Sequence, residues 1–147
     1  MAEKPWDGRF SEKTDRSVEA FSSSIDFDKR LYIHDVEGSI AHCKMLAKQS
    51  IISEDEASSL IEGLGSIKRE IGRGDFHFDD TLEDIHMHIE GSLGEHAGSA
   101  SHKLHTARSR NDQISLDVRM YLRSEVLCIA KNLMELRQII IDLAKKH

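Results

Sequence analysis

From Asp112 to Lys146 the chain runs without a single glycine or proline, and this run constrains the fold more than any other feature. Apolar residues fall at Ile114, Val118, Leu122, Val126, Ile129, Leu133, Leu136, Ile140 and Leu143, in steps of four and three. That spacing is the seam of a helix lying lengthwise on other helices. A second stripe through Met120, Leu127, Ala130, Met134 and Ile141 widens the apolar face, so the helix is expected to meet more than one neighbour. About 34 residues at ~1.5 Å each span roughly 50 Å. A compact globule of this chain length is only about 40 Å across. The helix overreaches its own domain, and partner subunits or further sequence are expected to cover it. Lys145 and Lys146 suit its C-terminal end through the macrodipole.

Shorter helices precede it. Ser17–Phe21 reads as a short helix, and Ser22-Ser23-Ser24 as a hydroxyl-rich break. From Asp28 to about Lys48, Tyr32, Val36, Ile40, Cys43 and Ala47 share one helical face. Ser53 and Glu56 form a capping box for a helix through Ala57, Leu60, Ile61, Leu64, Ile67 and Ile71, which Gly72 and Gly74 stop. Residues 75–80 read as an acidic and aromatic loop. A second box-like start, Thr81 to Asp84, opens a helix that turns Ile85, Ile89 and Leu93 inward, and Gly94 to Ser101 reads as loop. Trp6-Asp7-Gly8-Arg9-Phe10 is expected to be an N-terminal segment pinned by aromatic burial. The expectation is an all-α protein: a short N-terminal helical domain, 1–111, followed by residues 112–147 as the first long helix of a multi-helix bundle.

The formal charge of −6 over 147 residues disfavours bulk attraction to nucleic acid or to an anionic membrane. An anionic ligand must therefore be held locally. No apolar stretch approaches the roughly 20 residues of a membrane span, and Met1–Arg9 lacks the layout of a signal peptide, which points to the cytoplasm. Cys43 and Cys128 are too few and too far apart for a disulfide framework, and both read as buried, inert thiols.

Two segments carry chemistry. Lys103 to Gln113 gathers two guanidinium groups, two hydroxyls, two carboxamides, a carboxylate and an imidazole at the head of the long run. A loop feeding a helix presents unpaired N–H groups, and Arg108 and Arg110 add planar forks suited to carboxylate or phosphate. The plainer alternative is two solvated arginines beside a helix capped by Asn111 or Asp112. The second segment is Glu83-Asp84-Ile85-His86-Met87-His88-Ile89-Glu90. His86 and Glu90 are four apart, as are Asp84 and His88, so each imidazole has a carboxylate on its own face. His86 and His88 point about 200° apart on a helix and no His-Glu-x-x-His pattern occurs, so no metal site is expected.

The word His105-Thr106-Ala107-Arg108-Ser109-Arg110-Asn111-Asp112-Gln113 closely resembles the signature of the argininosuccinate lyases and the related δ-crystallins, within the fumarase/aspartase superfamily. Trp6 to Phe10 is similar to the Trp-Gly-Gly-Arg-Phe opening of those enzymes, from which Asp7 departs. Glu83-Asp84-Ile85-His86 with Glu90 is similar to a segment lining their substrate cleft; His88 falls where the family varies and is taken as a surface residue. The resemblance runs through essentially the whole chain and implies the first third of such an enzyme. It implies a homotetramer with a long-helix bundle, active sites assembled from several subunits, and cleavage of argininosuccinate to arginine and fumarate by β-elimination without a cofactor.

Carried onto this sequence, the resemblance makes Ser109, Arg110 and Asn111 the holders of a substrate carboxylate and of the developing anion. Ser24 and His86 complete the pocket wall, with Asp84, Glu90, Thr106, Arg108, Asp112 and Gln113 as supporting groups. The family's acid–base groups, a Thr-His word and a serine in a mobile loop, do not occur here, so no proton-transferring residue is assigned and the 147-residue chain alone is expected to be inactive. The alternatives are a helical association module or lens-type homologue without catalysis, and a lyase for fumarate, aspartate or adenylosuccinate.

Overall fold

The structure is a computed structural model describing residues 14–79 and 81–147; the Trp6–Phe10 segment lies outside the described residues. It is all-α: among the described residues there is no strand. The helices are α1 (Arg16–Ser22), α2 (Ile25–Asp28), α3 (Tyr32–Lys48), α4 (Glu54–Arg73), α5 (Ile85–Ala97) and α6 (Arg110–Lys146), with 3-10 segments at Lys29–Leu31 and Gly98–Lys103. No helix among the described residues is long and apolar enough to cross a membrane.

The core lies between α3, α4 and α5. Val36, Cys43 and Leu46 of α3 meet Leu60, Leu64 and Ile67 of α4 and Ile85, Ile89 and Leu93 of α5, all at most 1% exposed. Burying each leucine or isoleucine contributes about 1.5–3 kcal/mol, which is what keeps these helices together. At the start of α4 the expected capping box is formed: Ser53 Oγ accepts from the Glu56 N–H at 3.1 Å, and Glu56 Oε2 accepts from the Ser53 N–H at 3.0 Å. The same helix ends at Gly74, whose φ of +78° is the left-handed geometry that glycine adopts without strain. Gly72 stays inside the helix.

Three boundaries before α6 differ from the sequence reading. The stretch expected to be one helix from Asp28 is broken by the 3-10 turn Lys29–Leu31, which turns Asp28 inward so that its Oδ1 accepts from the Ile85 N–H at 3.1 Å. Helix α5 is capped by Asp84, whose Oδ1 accepts from the Met87 N–H at 2.7 Å, not by Thr81, which is folded back on Asp79. Gly94 to Ala97 are helical and a 3-10 segment follows, where a loop was expected. The cause is a close crossing: a Cβ on Gly63 would lie 2.8 Å from Leu93 Cδ1 and 3.0 Å from His96 Cβ. Packing at that crossing outweighs the roughly 1 kcal/mol that a helical glycine costs.

Helix α6 has 37 residues and is about 55 Å long. Its N-cap is Ser109 rather than Asn111 or Asp112: Ser109 Oγ accepts from the Asn111 N–H at 3.2 Å, and Asp112 Oδ2 accepts from the Ser109 N–H at 3.3 Å. Only Gln113 and Asp117 of α6 are buried. Beyond Tyr121 the helix leaves the core, and its apolar residues stand open, with Val126 62% and Leu127 63% exposed. Cys128 shares this exposure, contrary to the expectation of two buried thiols, because among the described residues no other helix covers this half of α6; Cys43 is buried.

The α4–α5 crossing gives a paired test. Gly63→Ala is expected to lower stability by about 1–3 kcal/mol through overpacking. Gly65→Ala, whose Cβ would meet only Arg69 Nη1 at 3.5 Å, is expected to be neutral or stabilising by up to about 1 kcal/mol. Urea unfolding of both variants decides; equal losses would show that the crossing is not close-packed.

Candidate active site

Two polar regions flank His86, and one buried carboxylate joins them. The first is a cleft of about 430 Å³ between α2, the start of α5 and the α6 flank, lined by Ser24, Asp28, Asp84, His86, Ile114 and Tyr121 among others. Ser24 sits at the start of α2, where its N–H donates to the Glu83 carbonyl at 2.8 Å and its Oγ donates to Asp28 Oδ2 at 2.5 Å. Asp28 is buried, and that burial raises its pKa above the ordinary carboxylate range against the opposing hydrogen bonds from Ser24 and Ile85.

The second region is the entry to α6. The backbone turns sharply at Ala107, a non-glycine residue at φ +57°. The turn tucks Arg108 beneath the loop, where Nη1 donates to Ser39 Oγ at 3.1 Å while Nε and Nη2 are buried without partners. Arg110 faces α5 instead: Nη2 donates to Glu90 Oε2 at 2.8 Å and Nη1 to Gln113 Oε1 at 2.8 Å. These engage two of the five donors of a guanidinium. His105 lies 3.6 Å from Glu90 Oε1. Partial burial, reinforced by Arg110, Arg108 and His42, holds its pKa below the usual histidine value despite Glu90. Thr106 is exposed and its carbonyl meets His42 Nε2 at 2.9 Å. Ser109, Asn111 and Asp112 are exposed at the helix tip.

The junction is Asp35 of α3, 1% exposed. Its Oδ1 accepts from Gln113 Nε2 at 2.6 Å and from Ser39 Oγ at 3.1 Å, and its Oδ2 meets His86 Nδ1 at 2.9 Å. Burial opposes the charge on Asp35, but the contacts with His86, Gln113 and Ser39 overcome it and hold the carboxyl below its ordinary pKa. Burial likewise opposes the His86 cation; Asp35, joined by Asp84, prevails and raises the histidine above its usual value.

Asp117 of α6 is also 1% exposed, and its Oδ2 lies 3.6 Å from His86 Nδ1, too far for a hydrogen bond. Both Asp117 oxygens are without hydrogen-bond partners, and burial, then the neighbouring charge of Asp35, pushes its pKa up to about 7. Asp35, His86 and Asp117 present donor atoms within 4.8 Å of one another, the one such group of possible metal donors among the described residues. Within it, both Asp35 oxygens and His86 Nδ1 already serve each other and their neighbours as hydrogen-bond partners.

Residues 8–147 match a family model described as "Lyase". The chain belongs to this lyase family. An argininosuccinate lyase of Desulfatibacillum aliphaticivorans is 60% identical over 148 residues, covering 100% of this chain and 32% of the relative. That of Syntrophotalea carbinolica is 52% identical over 147 residues, with 100% and 32% covered, and that of Syntrophobacter fumaroxidans 49% identical with the same coverage. The chain thus spans about a third of the length of these relatives.

The lyase fold separates the residues singled out from sequence into two sets. Ser24, Asp84 and His86 share the cleft. Arg110, Gln113 and Glu90 form one hydrogen-bonded chain at the α6 entry, with Ser109, Asn111 and Asp112 at the tip beside it. His86 is paired with Asp35, not with Glu90 on its own helix. His88, taken from sequence as a surface residue, is buried: Nδ1 meets the Asp84 carbonyl at 2.7 Å and Nε2 accepts from the Asp79 N–H at 3.0 Å. The loop before α5 covers it with the rings of Phe76 and Phe78. Asp35, Asp28 and Asp117 were missed; each is a buried acid set against a group of another helix, Asp35 against His86 and Gln113, Asp28 against the Ile85 N–H and Asp117 beside His86.

Asp117 sets a pH dependence of stability. The folded lyase chain keeps a proton on Asp117 that the unfolded chain releases near its ordinary pKa of 3.8, so this carboxyl costs stability increasingly as pH rises from about 4 to about 7. Asp117→Asn is expected to stabilise by roughly 1–3 kcal/mol at pH 8 and to make little difference near pH 4. Denaturant unfolding across that range checks it; a pH-independent difference would show that Asp117 is not protonated in the fold.

Proposed function

We propose that this chain is the N-terminal third of an argininosuccinate lyase, cleaving argininosuccinate to arginine and fumarate. The observation that carries the reading is identity of 49–60% along essentially the whole chain with enzymes of that name. In support, the segment from His105 to Gln113 opens α6, whose Gln113 shares the Asp35 carboxylate with His86 and whose next residue, Ile114, lines the cleft.

The elimination removes a proton from the carbon next to a carboxylate, places the resulting charge in that carboxylate, and expels the nitrogen, which takes up a proton. Fixed donors aimed at the developing charge lower its barrier. In this reading Asn111, Ser109 and the unengaged donors of Arg110 hold the carboxylate, and Ser24 and His86 form the opposite wall. Glu90 and Gln113 keep the Arg110 fork in place, Asp84 sets the start of α5, Arg108 braces the loop, and Thr106 and Asp112 shape the turn. Proton transfer falls to residues outside this chain, and no cofactor or metal is required.

The domain division at residue 111 belongs to the same proposal: α6 serves as the first rod of a bundle whose other helices come from the remaining two thirds and from three further subunits. The assembled enzyme is assigned to the cytoplasm. The bare apolar face of α6 favours one second reading, a helical association module without catalysis.

One experiment separates them. The complete polypeptide is expected to release fumarate from argininosuccinate, followed by ultraviolet absorbance, whereas purified 1–147 is expected to show no turnover. Asn111→Ala in the complete enzyme is expected to lower kcat by about a hundredfold, the usual cost of deleting an anion-holding donor. Multiple turnovers by 1–147, or an inert complete polypeptide that still oligomerises, would reject the lyase assignment.

A further inference from the structure

Charged groups face His86 from every element around it. Asp35 comes from α3, Asp117 and Arg110 from α6, Asp84 from the cap of α5, and Asp28 from α2. Four acidic side chains therefore surround one ring, with Arg110 and, behind Ser39 and Asp117, Arg108 as the opposing guanidinium groups, and two of the acids, Asp35 and Asp117, approach the same nitrogen, Nδ1. With Nδ1 turned to that pair, Nε2 is the nitrogen left for the cleft that His86 lines with Ser24 and Asp28.

We propose that Asp35 is a positioning residue which, through Nδ1, holds His86 as an imidazolium and so presents an Nε2–H donor to a substrate carboxylate in the cleft. The proposal deepens the lyase reading and rests on it for the identity of the substrate. The geometry makes Asp35 suited to the task because its other oxygen is fixed: Ser39 and Gln113 both donate to Oδ1, so Oδ2 cannot turn away from the ring. Two hydrogen bonds from two different helices set the carboxylate, and the carboxylate sets the imidazole.

The anchoring also makes Asp35→Asn informative. Ser39 and Gln113 are donors, so the amide oxygen stays with them and the NH2 group faces Nδ1. Donor then meets donor unless Nδ1 gives up its proton, which discharges the ring and reverses its tautomer.

The test uses the complete enzyme and reads His86 directly, through exchange of its ring C2 proton for deuterium followed by mass spectrometry over a pH series. The midpoint for His86 is expected above the usual histidine value in the wild type and lower by roughly one pH unit or more in Asp35→Asn. The alkaline limb of kcat/KM for argininosuccinate, which in the wild type follows loss of the Nε2 proton, should flatten in the variant, because its neutral ring keeps Nε2–H; loss of the ring's charge should still cost about tenfold or more near neutrality, chiefly in KM. Asp35→Asn added to His86→Ala should cost nothing further, because Asp35 acts through the ring. Ser39→Ala, which deletes one anchor and leaves the carboxylate, should move the same midpoint in the same direction by less. It decides the matter if Asp35→Asn fails to fold.

An unmoved midpoint, or additive losses in the double variant, would overturn the proposal. So would suppression of His86 exchange by added Zn2+ that EDTA restores, since that places a cation rather than a proton among the carboxylates. A wild-type enzyme that forms no fumarate would sink the lyase reading alone, and the exchange midpoints would still decide whether Asp35 governs His86.

Discussion

One buried carboxylate fixes where three helices meet. An ionised Asp35 taken out of water is costly by many kcal/mol unless its lone pairs are filled. Here they are filled by Ser39 on its own helix, His86 on α5 and Gln113 on α6. The requirement runs both ways: the charge needs all of these partners, and satisfying it brings α5 and the start of α6 to set positions against α3. Apolar contact alone would tolerate small slides between helices. A buried charge does not, because a displacement of one ångström turns a hydrogen bond into an orphaned acceptor.

The attachment of α6 follows from this. Gln113 and Asp117 lie one turn apart on the buried face, and Tyr121, one turn further, packs partly on the core and edges onto His34 at 6.0 Å. Beyond that point the helix stands away from the core formed by the described residues, so roughly its first three turns are anchored and the remainder carries its apolar side chains in the open. The polar contacts at the base are what aim the rod. Through Asp35 they also hold His86, which lines the cleft, so the direction of α6 and the placement of that ring depend on the same carboxylate.

How much of this was legible in the sequence depends on whether the cause was local. The Ser53–Glu56 box, the left-handed stop at Gly74 and the unbroken length of α6 are settled within a few residues of chain, and all three are where periodicity and capping chemistry put them. The errors have tertiary causes. Gly94 looked like a loop former, but the approach of α4 at Gly63 keeps it helical. His88 points away from His86 on a helical wheel, yet the preceding loop folds over it. Asp35 left a faint trace: it stands in the i, i+4 line Leu31, Asp35, Ser39, Cys43, a buried face with two polar residues set into it. Asp117 repeats the sign in Gln113, Asp117, Tyr121. A lone carboxylate in an inward-facing line has no local reason to be there, and its partner must come from another element.

That difference in origin also sorts the polar residues by what they have left to offer. Arg108 and Gln113 face inward onto Ser39 and Asp35, and their position beneath the loop suits bracing rather than binding. Arg110 is intermediate, anchored through two nitrogens while a quarter of its side chain remains accessible. Asn111 and Ser109 stand at the exposed tip. Across the junction, His86 has one nitrogen committed inside the protein and its ring against the cleft. The chain is acidic as a whole, so an anion arriving here meets no favourable long-range field. What attraction it finds comes from a few donors held in place by acids behind them: Glu90 behind Arg110, and Asp35 behind His86. Setting an acid against each cationic donor, Asp35 buried behind His86 and Glu90 partly exposed beside Arg110, fixes both donors in place, which is what the proposed carboxylate site requires of an acidic protein.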